Sequence, residues 1–169
     1  MNFHINTAQK IEKELLENKV CTQNFPKIID FPFPERYRNL ATQIKTTELS
    51  SDCILYNSVE AINETNEFDS DTYWCFGGDG QGNRWLFDKA GLVFYYDHDY
   101  YEGFDAIEIN FDQWLQMADL TKQIDEYLEE HTITKEIEIE IEIEIEFNNM
   151  LNSIHPDMSM NFPYEYLNL

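Results

Sequence analysis

The chain has 169 residues, of which 33 are acidic and 11 are Lys or Arg, so its net charge at pH 7 is −22. Such acidity argues against binding to nucleic acid or to an anionic membrane surface, because both kinds of partner attract Lys and Arg. It favours a cationic partner, although acidity that only keeps the protein soluble is the simpler alternative. With 43% hydrophobic and 15% aromatic residues, the composition is typical of a folded chain.

The length predicts one domain spanning residues 1–169, since the chain is long enough for one core and short for two. Residues 1–20 lack the basic segment and the apolar core of a signal peptide. No apolar run approaches the roughly 18 residues of a membrane span. The three cysteines are scattered without a CxxC pair, which is typical of reduced thiols. We therefore expect a cytoplasmic protein.

The first part of the chain predicts short helices and one strand. Apolar residues at helical spacing predict an amphipathic helix over 5–16. The segment at 24–34 is rich in Pro and Phe and predicts an extended stretch, after which Pro34 suits the first turn of a short helix. Residues 53–56 predict a strand, and Ser58 is a candidate cap for a short helix that follows it.

The middle of the chain predicts four strands, at 72–76, 83–88, 91–97 and 106–109. The turn from Asp88 to Gly91 has the form of a tight hairpin with glycine at its left-handed position. Residues 110–131 predict the longest helix, with Asn110 as its cap. These elements predict an α+β fold, a single domain with a mainly antiparallel β-sheet flanked by helices.

Residues 135–147 form a low-complexity segment in which Glu and Ile alternate without error. This period predicts a strand with one isoleucine face and one glutamate face, whereas a helix would scatter both residue types. Glutamates on one face would lie about 7 Å apart and repel by roughly 0.6 kcal/mol per pair in water. Burial of each isoleucine contributes about 1.5 kcal/mol or more, so the strand is stable if its isoleucine face meets a core.

The segment at 77–82 places four glycines in six positions and invites comparison with phosphate and calcium loops. Asn83 stands where a P-loop requires Lys, and Trp85 stands where a dinucleotide fingerprint requires its third glycine. A calcium loop would need a closing Glu where Ala90 stands. The segment therefore predicts a wide turn, with or without a bulge, in which glycines supply positive φ.

Asp97, His98 and Asp99 form the best candidate for chemistry. On an extended segment the two aspartates face one way and the histidine the other, which argues against a three-ligand cluster. The remaining histidines show no HxH or HExxH spacing, and the chain has no GxSxG or kinase motifs. We therefore predict no metal, no cofactor and no catalytic residue, with a metal-dependent hydrolase as the less favoured alternative.

The block from Tyr73 to Leu120, which includes WCFGGDGQGNRWLFD, resembles the SUKH superfamily of yeast cell-wall assembly regulators and bacterial immunity proteins. Upstream, FPFPERYRNL is similar to the family's Leu-Pro-x-x-Tyr helix start, with Phe33-Pro34 and a differently spaced tyrosine. The resemblance implies an α+β domain without catalytic residues that binds and blocks a toxin, often a nuclease or deaminase. It implies structural roles for Trp74, Phe76, Gly77, Gly78, Gly80, Trp85 and Phe87. The Glu-Ile segment lies outside the family pattern.

The leading hypothesis is a cytoplasmic immunity protein whose acidic surface binds a basic toxin that acts on nucleic acid. A regulatory scaffold without a toxin partner is the alternative, and an unrecognised enzyme is the third. Two acidic surfaces are candidate contacts. The first comprises Asp79, Asp97, Asp99, Glu102 and Asp105. The second comprises Glu136, Glu138, Glu140, Glu142, Glu144 and Glu146, and a solvated strand face is its simpler explanation.

Overall fold

A computed structural model describes residues 3–20, 22–68, 71–100, 103–131 and 137–164, with the side chains of 137–140 left out. These ranges contain six helices and six strands. The helices are α1 (Ala8–Glu17), α2 (Glu35–Ala41), α3 (Ser58–Thr65), α4 (Phe111–His131), α5 (Ile137–Ile154) and α6 (Met158–Asn161). The strands are β1 (Thr47–Ser50), β2 (Cys53–Leu55), β3 (Tyr73–Gly78), β4 (Arg84–Asp88), β5 (Leu92–Tyr96) and β6 (Asp105–Asn110).

The six strands form one sheet in the order β1-β2-β3-β4-β5-β6, and every neighbouring pair is antiparallel. The predicted α+β fold with an antiparallel sheet is therefore confirmed. The five predicted strands are β2 to β6, and β1 is an additional edge strand. Short turns join β1 to β2, β3 to β4 and β4 to β5, and a tight turn can only join antiparallel neighbours, whereas α3 lies between β2 and β3.

One face of the sheet is covered by aromatic side chains and by α4. Trp74, Phe76 and Phe87 are 4% exposed or less and lie on this face. Tyr37 of α2 is fully buried among them, and its hydroxyl accepts a hydrogen bond from Trp74 Nε1 at 2.7 Å. Trp114 of α4 packs edge-on against Phe76 at a centroid distance of 4.8 Å. The proline-rich segment forms neither helix nor strand and turns at Lys27 and Ile28, so the extended stretch predicted at 24–34 is only partly confirmed. It contributes three more phenylalanines to this cluster.

Helix α4 begins with a reciprocal cap. Asn110 Oδ1 accepts from the backbone N–H of Gln113 at 3.0 Å, and Gln113 Oε1 accepts from the backbone N–H of Asn110 at 3.0 Å. This capping box satisfies donors that the first turn leaves unpaired, so the predicted cap and the longest helix are confirmed. Among the described residues, none of the helices combines the length and the apolar content that crossing a bilayer requires.

The Glu-Ile segment is helical, so the predicted strand is wrong. In α5, Ile143, Phe147 and Leu151 are spaced four residues apart and are 5%, 3% and 0% exposed. Ile141 and Ile145, which a strand would bury beside Ile143, are 41% and 56% exposed. The helix is continuous with the residues after Phe147, so the repeat extends a turn that is already formed, and glutamate is a good helix former. Packing at helical spacing therefore overrides the period of two.

Candidate functional site

Two loops and the C-terminal segment meet at one end of the sheet. Strand β3 ends at Gly78, β4 begins at Arg84 and β5 ends at Tyr96. Because these strands are antiparallel neighbours, all three points lie at the same end. Residues 79–83, which we call the glycine loop, therefore lie beside the residues that follow β5. The chain reverses direction here between two paired strands, so the predicted turn is confirmed.

Asp79 is the centre of this region, and only 6% of its surface is exposed. Its Oδ1 accepts from the backbone N–H groups of Gln81 at 2.8 Å and Asn83 at 3.0 Å. Its Oδ2 accepts from Asn83 Nδ2 at 2.8 Å and lies 3.3 Å and 3.2 Å from the hydroxyls of Tyr95 and Tyr164. Burying a carboxylate is costly unless donors replace the lost water, and these groups do so. Asp79 therefore stabilises the glycine loop through hydrogen bonds to its backbone on the buried side.

The two tyrosines fix the C-terminal segment to the glycine loop. Burial is the largest cause raising the pKa of both the Tyr95 and the Tyr164 hydroxyl, so both keep their protons at neutral pH. The Tyr164 ring packs edge-on against Tyr95 at 5.5 Å and against Trp85 at 6.3 Å. Its hydroxyl also lies 3.2 Å from the backbone oxygen of Asp52. The segment after α6 thus closes over the end of the sheet.

Asn83 connects this buried network to His98 at the surface. Asn83 Nδ2 donates to Asp79, which orients the amide and leaves Oδ1 as an acceptor. That oxygen accepts from the backbone N–H of His98 at 3.1 Å and lies 2.8 Å from its Nδ1. Nδ1 therefore carries a proton, and Nε2 faces Asp99 Oδ1 at 3.3 Å. The hydrogen bond at one imidazole nitrogen thus decides which nitrogen carries the proton.

Asp97, His98 and Asp99 come together, so the expectation that the histidine faces away from the aspartates is wrong. One ligand atom from each lies within 4.8 Å of the others. The chain has left the extended conformation, since the backbone N–H of Asp99 donates to Asp97 Oδ1 at 2.9 Å. One imidazole nitrogen and two carboxylate oxygens are ligands that divalent cations accept. Exposed acidic groups also gather in this way without a metal, so the cluster alone assigns none.

The three glycines expected in structural roles, Gly77, Gly78 and Gly80, differ in the space around them. A Cβ at Gly77 would lie 2.5 Å from the backbone oxygen of Ile54, and one at Gly78 would overlap the Tyr56 hydroxyl. Both positions need glycine because neighbouring groups approach the backbone closely. Gly80 differs, since a Cβ there would meet nothing within 4 Å. The structure therefore gives no steric reason for glycine at position 80.

The first predicted acidic surface is smaller than expected. Asp79 was placed on it, but its carboxylate is buried and hydrogen-bonded, so this residue is not part of an exposed contact surface. Asp97 is half-buried, whereas Asp99 and Asp105 are exposed. Glu102 lies outside the described residues. We call the remaining three aspartates, Asp97, Asp99 and Asp105, the acidic loop.

The second predicted surface does not form one glutamate face, because α5 distributes its side chains around the helix. Glu142 is exposed and Glu144 is half-buried on a different side. Glu146 accepts a hydrogen bond from the backbone N–H of Phe3 at 3.2 Å, which ties it to the N-terminal segment. Glu136 lies outside the described residues, and for Glu138 and Glu140 only the helical backbone is described.

The arginines are largely engaged within the chain. Arg36 pairs with Glu12 at 2.9 Å and with Asp112. Arg84 pairs with Glu64 at 2.5 Å. A cavity of about 540 Å³ lies between α1 and α2, and Arg36 and Glu12 line it. Two of the residues that line it, Glu12 and Arg36, form an ion pair, and neither His98 nor Asp79 lines it.

Sequence reasoning missed the residues that organise the site. The pairing of Asp79 with Asn83 had a local signal, since an Asp and an Asn four apart in a glycine-rich turn often bond to the loop backbone. Tyr95 lies in a predicted strand, but the strand pattern does not show that its hydroxyl bonds to Asp79. Tyr164 had no local signal, because its contact with Asp79 joins residues far apart in the chain.

No protein-family model matches the chain, and neither a curated protein nor a solved structure matches it. The similarity of the block Tyr73–Leu120 to the SUKH superfamily therefore stays a prediction. The toxin partner and the lack of catalytic activity are predictions in the same sense.

Proposed function

We propose that this chain is a non-catalytic immunity protein that binds and neutralises a basic toxin acting on nucleic acid. The observation that carries the proposal is the net charge of −22. A toxin that acts on nucleic acid presents a cationic cleft to the phosphates, and an acidic protein can occupy the same cleft. The resemblance of the central block to immunity proteins points to the same class.

Two structural features support a binding surface rather than a catalytic pocket. The polar residues of the site, Asp79, Asn83, Tyr95 and Tyr164, bond to one another and are occupied in holding the loops. The groups that remain exposed near them are the carboxylates Asp99 and Asp105. Rigidly held loops that carry exposed charge suit recognition, because little conformational entropy is lost on binding.

The test is binding to the basic toxin domain encoded beside this gene, measured by calorimetry, together with protection of cells that express the toxin. We expect a complex whose affinity falls as NaCl rises between about 50 and 300 mM, since salt screens the attraction. Reversing the acidic loop with Asp97→Lys, Asp99→Lys and Asp105→Lys should weaken binding and slow association.

A matched control reverses three exposed carboxylates elsewhere, with Glu17→Lys, Asp30→Lys and Glu48→Lys, for the same change in net charge. If both triple variants lose affinity equally, only overall charge matters and the acidic loop is not the contact. If the wild-type chain neither binds nor protects, the immunity function is refuted. Turnover of a substrate by the purified chain would refute the non-catalytic assignment.

A further inference from the structure

Helix α5 has apolar residues on two opposite sides, because isoleucine occurs at every second position of the Glu-Ile segment. Residues two apart on an α-helix lie about 200° apart, so consecutive isoleucines point to nearly opposite sides. Ile143 is buried against the body with Phe147. Ile141 and Ile145 are four residues apart and share the other side, and we call this pair the outer row.

The outer row is flanked by carboxylates. Glu142 and Glu144 each lie about 80° from the centre of the row, on opposite sides of it. Ile141 and Ile145 are 41% and 56% exposed, Glu142 is exposed and Glu144 is half-buried. The ion pairs among the described side chains engage other carboxylates, on α1, α3 and α4 and at Asp99. The outer side of α5 is thus an apolar ridge between two uncompensated negative charges.

The chemistry of this ridge selects its occupant. A helix that packs on it must offer apolar side chains at spacings of three and four, because these meet the Ile141–Ile145 row. Positions beside that stripe would meet Glu142 and Glu144, and Lys or Arg there would pair with them, as flanking charges do in coiled coils. A second copy of this chain does not fit this surface. Its glutamates would face Glu142 and Glu144, and two molecules of charge −22 would repel each other.

We propose that the outer row of α5 binds a cationic amphipathic helix of a partner protein, with Ile141 and Ile145 in its apolar stripe and Glu142 and Glu144 paired to its flanking cations. This surface deepens the proposed function and rests on it for the basic character of the partner. It lies on α5 and is defined separately from the acidic loop that follows β5.

The experiment uses the full chain and a synthetic helical peptide of about 18 residues, roughly five turns, with Leu at heptad positions a and d and Lys beside them. A scrambled peptide of the same composition has the same charge without the stripe. Fluorescence anisotropy measures the dissociation constants. We expect the striped peptide to bind at least about tenfold more tightly than the scrambled one, and its hydrogen-exchange footprint to lie on α5.

The double variant Ile141→Gln with Ile145→Gln should remove the preference for the striped peptide while leaving weak, salt-sensitive binding of both peptides. The matched control, Ile28→Gln with Val59→Gln, alters two exposed apolar residues elsewhere and should keep the preference. Equal binding of the two peptides, an unchanged preference in the α5 variant, or a footprint elsewhere would overturn the proposal. So would self-association of the wild-type chain that the α5 variant abolishes, because the row would then be an interface between copies.

The same variants separate this proposal from the proposed function. If the toxin binds the α5 double variant as tightly as the wild type, immunity stands and the α5 surface is refuted. If no toxin binds, yet the striped peptide is preferred and protects α5, immunity is refuted and the α5 surface stands.

Discussion

Asp79 and Glu142 carry the same charge in the same acidic chain, yet their surroundings are opposite. Asp79 is 6% exposed, and backbone amides, an asparagine amide and two phenols surround its carboxylate. Glu142 is exposed on a helix whose neighbouring repeat positions are again glutamate. Acidity alone therefore does not mark a contact surface. The supply of local donors decides which carboxylates hold the fold together and which stay exposed to solvent.

The largest effect expected from this difference is on stability at Asp79. Asp79→Ala leaves two backbone N–H groups, the Asn83 amide and the Tyr95 hydroxyl without their acceptor, so we expect a loss of about 3–5 kcal/mol in the free energy of unfolding. Urea unfolding at pH 7 measures it. The control Asp99→Ala, at an exposed position nearby, should stay within about 0.5 kcal/mol of the wild type. Equal effects of the two substitutions would contradict the buried network.

An intermediate effect distinguishes the two sides of α5. Ile143→Ala should cost about 2–3 kcal/mol, because a buried side chain is removed, whereas Ile145→Ala should change stability by about 0.5 kcal/mol or less. Thermal or urea unfolding of both variants gives the comparison. In a strand, Ile143 and Ile145 would share one face and the two substitutions would have similar effects. Similar losses would therefore speak against the helix.

The smallest effect concerns the phenols that bond to Asp79. Burial raises the pKa of Tyr95 and Tyr164, so the unfolded chain releases these protons first, near a pH of about 10. Their contribution is fully present below that pH and is lost as the pH rises above it. Tyr164→Phe should lower stability by about 1 kcal/mol at pH 7 and make the alkaline decline shallower.

Urea unfolding between about pH 8 and pH 11 tests this expectation. Tyr100→Phe is the control, since Tyr100 is 75% exposed and should tolerate the change. An alkaline decline that Tyr164→Phe leaves as steep as in the wild type would mean that the Tyr164 hydroxyl is not held at the Asp79 network.

Local patterns predicted much of the fold. Apolar alternation with turn residues located β3 to β6, and Gly91 adopts a φ of 81° at the predicted left-handed position of the hairpin. Helical spacing and Asn110 located α4 with its cap. Each of these signals is local, because strand period, turn chemistry and capping depend on residues a few positions apart. The strand predicted for the Glu-Ile segment is wrong because a period of two does not specify which residues the segment packs against. That packing selects the helix.

Less of the candidate site could be predicted. Asp97 and His98 were singled out from their residue types, but the chain turns after β5 and brings them together instead of apart. Asp79 was assigned to the surface because charge is normally exposed. Its burial depends on Tyr95 and Tyr164, which approach it only in the folded chain.

Composition and neighbours along the chain are enough to predict the charge of the molecule, most of its antiparallel strands and the turns between them. Long-range packing, in contrast, makes the described part of the Glu-Ile repeat a helix in which Ile143 is buried and Ile141 and Ile145 are exposed. It also decided that Asp79 faces inward while Asp99 and Asp105 face solvent. Both outcomes depend on contacts between residues distant in sequence, where burial and hydrogen bonding outweigh local preference.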